Sequence, residues 1–225
     1  MQRIIVLALI LSITILGCKK NELKVPTDVS FSLDINRNPS SSGHLVFNNG
    51  FIVLSEFEIE GTRQEGDPFL FNKSFPEGLI INFNPTNSIS DLELKIPQGI
   101  YTDIDISFET FDDNDDITIL VEGIYTNQSN ISFPIRFEFL SSEYFSINGE
   151  SESGTIVLNK NKPITAFVKF DPIYWFDSIS SNMLNNAELF DVGGELIILI
   201  NENENTDIYD IVVDRIDEKT SAIFN

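Results

Sequence analysis

The chain has 225 residues but only one cysteine, one histidine and one tryptophan, with 14 basic side chains against 35 acidic ones. Each shortage removes a class of chemistry. A single cysteine allows neither an intrachain disulfide nor a thiolate zinc site. His44 stands alone, and no residues near it in sequence complete a triad or a histidine-based zinc site, so it reads as a strand-edge residue. The formal net charge of −21 repels phosphate backbones and excludes nucleic acid as a partner, while keeping an exported protein in solution. No serine occupies a Gly-x-Ser-x-Gly turn, and no glycine-rich phosphate loop is present. Stability must therefore come from an apolar core. Roughly 200 residues bury about 70% of the unfolded chain's surface, enough for one large domain. Nineteen phenylalanines make its core aromatic and favour strands.

What is present begins at the N-terminus. Met1-Gln2-Arg3 is a short cationic start, Ile4 to Leu16 is almost wholly apolar, and Ile15-Leu16-Gly17-Cys18 is a lipobox. The apolar run falls short of the about 20 residues that span a bilayer and has the length of an export signal. Cleavage before Cys18 and acylation of its sulfur (diacylglycerol, palmitate) would leave a mature protein held on a membrane. Each buried methylene of those chains contributes about 0.8 kcal/mol. Loss of residues 1–17 removes only Arg3 among the charges and moves the net charge from −21 to −22. Lys19 and Lys20 are placed to rest on anionic headgroups. Lys19 is not an aspartate, which by analogy with sorting rules points to the outer membrane; the periplasmic and surface faces stay open.

Residues 18–28 are expected to form a lipidated tether and residues 29–225 a single domain. About ten extended residues reach at most about 35 Å, so that domain stays near the membrane. From Val29 the dominant period is two: Val29, Phe31, Leu33 and Ile35 alternate with polar residues. Asn48-Asn49-Gly50 between apolar runs reads as a hairpin turn. Leu79 to Phe83, Leu92 to Ile96, Thr102 to Phe108, Ile117 to Tyr125, Ile131 to Phe139, Thr155 to Leu158 and Thr165 to Phe170 are further strands. Many short strands punctuated by turns indicate a mainly β protein: an antiparallel β-sandwich of immunoglobulin- or transthyretin-like layout. Asp171-Pro172 opens one or two short C-terminal helices. Leu196 to Ile200 reads as a buried strand. Ile208, Ile211, Val212 and Ile216 follow at helical spacing, predicting a terminal helix over 207–217.

The candidate sites are few. Asp112, Asp113, Asp115 and Asp116 could offer oxygen ligands to calcium, but they lack EF-hand spacing and sit where a hairpin needs a polar turn. Asn201 to Asn205 carries the same ambiguity before a helix. Paired carboxylates could hydrolyse glycosidic bonds, a mechanism set by separation in space. Tyr174 and Trp175 could stack on a sugar or plug the core. Arg37 and Arg63 lie in polar stretches open to proteolytic processing.

Several phrases carry a resemblance: Ile96-Pro97-Gln98-Gly99-Ile100-Tyr101, Glu122-Gly123-Ile124-Tyr125, Phe133-Pro134-Ile135-Arg136-Phe137-Glu138-Phe139, and Phe170-Asp171-Pro172 with Trp175-Phe176. Over residues 43–220 the chain resembles uncharacterised bacterial outer-membrane lipoproteins whose β-sandwich domain has a Pro-x-Gly-x-Tyr segment leading into a strand. That resemblance implies a sandwich in the cell envelope and no functional residues. The expected function is non-catalytic: a binding, adhesion or assembly module with a glycan or protein partner and no cofactor. A pilin-like subunit is the structural variant, which the expected terminal helix disfavours because strand donation needs an extended tail. A glycoside hydrolase is the enzymatic alternative.

Overall fold

The structure, a computed structural model, describes residues 24–84, 88–112 and 116–225. Residues 1–23, with Cys18 and most of the tether, lie outside the described residues, as do Asp113 and Asp115.

Strands dominate in the order β1 (Pro26–Ile35), β2 (Leu45–Arg63), β3 (Phe69–Asn82), β4 (Leu94–Pro97), β5 (Gly99–Thr110), β6 (Ile119–Thr126), β7 (Ser132–Phe139), β8 (Tyr144–Glu150), β9 (Ile156–Leu158) and β10 (Ile164–Phe170). Helices α1 (Pro172–Trp175) and α2 (Ser181–Asn186) follow, then β11 (Leu189–Val192), β12 (Glu195–Ile200), α3 (Thr206–Val213) and β13 (Ser221–Phe224). They form one open sheet in the order β11-β12-β7-β6-β2-β5-β8-β13-β10-β1-β4, with β3 on β2 and β9 on β5. The sheet is mixed rather than antiparallel throughout. β1 runs parallel to β10, β7 to β12 and β8 to β13. Parallel neighbours cannot be joined by a tight hairpin, so these pairings come from distant parts of the chain, as in Val29 beside Ile164.

The long strand β2 organises the sheet. Residues 45–52 pair with β6 and residues 54–63 with β5, while β3 runs along the opposite edge. Val53 donates its N–H to Thr118 O (2.8 Å) and accepts from Phe111 N–H (2.9 Å), so β5 and β6 follow one another along a single edge. The register shifts between Leu54 and Glu56; such a bulge bends a strand and lets its two halves belong to different parts of a sheet.

Asn48-Asn49-Gly50 is not the expected hairpin turn. It lies inside β2, where the register against β6 shifts between Phe47 and Asn49. Gly50 has φ of 150°, and a Cβ there would meet Leu120 O at 2.0 Å. The glycine is needed for a close strand approach rather than for a reversal.

Alternation fills one face with apolar side chains. Phe31 on β1 meets Phe57 on β2 at 4.9 Å between ring centroids, although the two strands are far apart in the sheet order. Phe170 collects Phe83, Phe108, Phe145 and Trp175 around it. Each fully buried ring of this kind contributes about 1.5–3 kcal/mol. β1 begins at Pro26, within the expected tether, because Pro26–Val29 pairs with β4.

At the helices, the Asp171 carboxylate accepts from Tyr174 N–H (3.2 Å) with Pro172 in the first turn, and Ser180 caps α2 through Met183 N–H (3.2 Å). The expected terminal helix is shorter and is not terminal. Ile208, Val212 and Ile216 are buried at helical spacing, but α3 ends at Val213 and Lys219 takes φ of 59°. The chain then turns back as β13, which inserts between β10 and β8 and buries Ala222 and Phe224.

Candidate functional site

The face of β2 and β5 turned away from the core is acidic. Glu56, Glu58 and Glu60 project from β2, and Asp103, Asp105 and Glu109 from β5, with Glu56 beside Glu109 and Glu60 beside Asp105 in register. Neutral donors hold five of these six carboxylates. Asn72 donates to Glu56 and Glu58, Ser142 to Glu109 (2.8 Å), and Asn148 to Asp103 (2.7 Å) and Asp105 (3.3 Å). Burial raises the Asp105 pKa above the usual carboxylate value; the Asp103 charge and a hydrogen bond with Asp103 add to it, and Asn148 opposes it. A shallow concavity between Glu56, Glu58, Ser107, Glu109 and Tyr144 lies on the same face. Glycoside hydrolysis places a sugar between carboxyls about 5–9.5 Å apart. Asp103 and Asp105 share the Asn148 amide rather than flanking an open cleft, with its nitrogen 2.7 and 3.3 Å from their oxygens.

At the Leu45 end of β2, a hollow is lined by Ser40, Ser42, His44, Tyr125, Asp177 and Ser181 among others. Tyr125 donates to Asn185 Oδ1 (2.8 Å), and burial raises its phenol pKa. His44 is fixed by its carbonyl, which accepts from Thr126 N–H (2.7 Å). Among the described residues no hydrogen bond joins its ring to a serine hydroxyl or a carboxylate. A nucleophilic relay is not assembled there.

Trp175 is fully buried and packs against Phe137 and Phe170. Sugar stacking needs an open ring face, so the stacking reading is corrected to a core plug. Tyr174 is half-buried, with the Arg215 guanidinium 4.3 Å and the Lys219 ammonium 5.6 Å from its ring centroid. The protein's own cations occupy that aromatic surface.

Asp112 and Asp116 are exposed. Among the described residues no three His, Cys, Asp or Glu side chains cluster as metal ligands. Asn201 to Asn205 closes the turn before α3: Asn201 Oδ1 accepts from Asn203 N–H (3.0 Å) and Glu204 N–H (2.9 Å). Asn205, at φ of 50°, reaches back to Leu199 O (2.7 Å).

The Arg37 and Arg63 side chains are each held by hydrogen bonds. Arg37 binds the buried Asp34 (2.7 Å) and the carbonyls of Phe83 (3.1 Å) and Asn48. Arg63 ends β2 and donates to the carbonyls of Asp67 (2.6 Å) and Gln98 (3.2 Å). A polar ladder missed in the sequence reading crosses from β12 to β2. Asn201 bonds Glu138 (3.0 Å), Arg136 contacts Glu138 (2.6 Å) and Glu122 (3.5 Å), and Asn49 bonds Glu122 (3.0 Å). The alternation of Arg136 and Glu138 on β7 is its only trace in the sequence.

No protein-family model matches the chain, and no curated protein or solved structure matches it.

Proposed function

We propose that this chain is an outer-membrane lipoprotein, held by acyl chains on Cys18, whose domain serves the cell envelope as a non-catalytic binding, adhesion or assembly module. The observation that carries the reading is the lipobox Ile15-Leu16-Gly17-Cys18 behind its apolar run. The resemblance to outer-membrane lipoproteins agrees with it. In this reading the mixed sheet closes as a β-sandwich, supported by the Phe31–Phe57 contact and the bulges of β2. A carbohydrate or protein partner would meet the amide-buttressed acidic face, where the carboxylates offer acceptors beside the Tyr144 hydroxyl.

A screen of the domain from residue 21 against glycans and envelope proteins tests the module. Saturable binding without turnover is expected. Release of cleaved glycan would contradict the non-catalytic reading and return the hydrolase alternative. The pilin-like variant gains an extended tail in β13, where a terminal helix was expected. Strand exchange should make dimers on partial unfolding; a protein that stays monomeric removes that variant.

A further inference from the structure

The Arg63 end of β2 coincides with the place where the chain enters the domain. Hydrogen bonds from Gln98 N–H to Val25 O (3.0 Å), from Thr27 Oγ1 to Asn159 O (2.9 Å) and from Lys160 N–H to Gln98 Oε1 (3.3 Å) bring three segments together. Those segments are residues 24–27, the β4–β5 junction and the β9–β10 turn. They gather Lys24, Lys160 and Lys162, with Arg63 and Lys95 beside them. Arg37, Lys73, Arg136 and Arg215 are in ion pairs elsewhere in the fold. Lys24, Lys95, Lys160 and Lys162 make none among the described residues. Carboxylates share this end: Asp28 is cross-strand from Lys95, Asp103 is cross-strand from Thr62, and Glu150 lines the same hollow as Tyr101 and Ile156.

The same end carries an apolar pair. Ile100 and Val157 face each other across the β5–β9 ladder and are 41% and 51% exposed. Two exposed aliphatic side chains at the end that carries these lysines suit a headgroup boundary, where the charge meets phosphate and the hydrocarbon enters the interface.

We propose that this end is a membrane-facing surface that seats the domain on the anionic headgroups of the bilayer holding its anchor. The proposal rests on the lipid-anchor reading. Between Cys18 and Lys24 the chain can extend at most about 20 Å, so the end where it enters stays close to the lipids. The remainder of a chain with net charge −21 is repelled by an anionic surface, and that repulsion turns the lysine-bearing end toward it. Each lysine near such a surface strengthens attachment by roughly fivefold.

The test uses the full lipid-modified protein, with a single cysteine introduced as Val157→Cys or, at the opposite end, Ser41→Cys. Each is labelled with an environment-sensitive fluorophore and reconstituted on vesicles of phosphatidylcholine alone or with phosphatidylglycerol. The label at 157 should shift to the blue and escape an aqueous quencher on the anionic vesicles only, while the label at 41 stays unchanged. Lys160→Glu with Lys162→Glu, or added salt, should abolish the shift. Protein that floats with the vesicles but emits identically from both positions, or is indifferent to headgroup charge, overturns the orientation alone. Protein that does not float at all overturns the anchor reading and the orientation with it.

Discussion

The two ends of β2 spend their side chains in opposite directions. At the Leu45 end, α1 turns Trp175 and Phe176 inward, Phe176 meets Phe47 at 5.0 Å, and Tyr125 is tied to Asn185. At the Arg63 end, lysines stay outside ion pairs, and Ile100 and Val157 remain exposed. One end folds its aromatic side chains into the core; the other carries lysines outside ion pairs. The difference shows why a net charge says nothing of how charge is distributed over the surface.

The sharpest way to break this contrast is to remove a side chain from each end. Trp175→Ala should cost about 3–5 kcal/mol in denaturant unfolding, whereas Val157→Ala should change stability by less than about 0.5 kcal/mol. Equal losses would mean that the two ends are not specialised. A smaller loss, about 1–3 kcal/mol, is expected for Gly50→Ala, because its Cβ must push Leu120 O away at the strand crossing. A wild-type melting temperature for that variant would contradict the close approach of Gly50 to Leu120.

The acidic face between the ends supplies a pH test of smaller size. Asp105 binds its proton more tightly when folded, chiefly through burial and then through Asp103. The folded protein therefore holds more proton than the unfolded chain as pH rises above about 4, and stability falls through that window. Asp105→Asn should flatten the descent and melt at the same or a higher temperature at neutral pH. A variant that melts lower at neutral pH and keeps the wild-type slope would contradict that electrostatic account.

The sequence disclosed local matters well and distant pairings poorly. Alternation located the middle of most strands, and Asp171-Pro172 announced α1, because both signals involve residues a few positions apart. Asn-Gly reported a demand for unusual backbone at Gly50, but a hairpin turn and a close strand crossing make the same demand. Which one wins is decided by Leu120, far along the chain. The strand β13 went unseen since four residues cannot display a period, and the parallel neighbours of β1 and β8 have no local trace. Trp175 was ambiguous for a related reason: an aromatic cluster looks alike in a core and in a binding platform until its neighbours are known.

The account turns on the anchor. Cys18→Ser in the full chain, expressed in a bacterium that processes lipoproteins and followed by membrane fractionation with a thermal melt, tests it most directly. The account predicts a variant that leaves the membrane fraction and melts at the wild-type temperature. A folded variant that remains with the outer membrane as fully as the unsubstituted protein would contradict it.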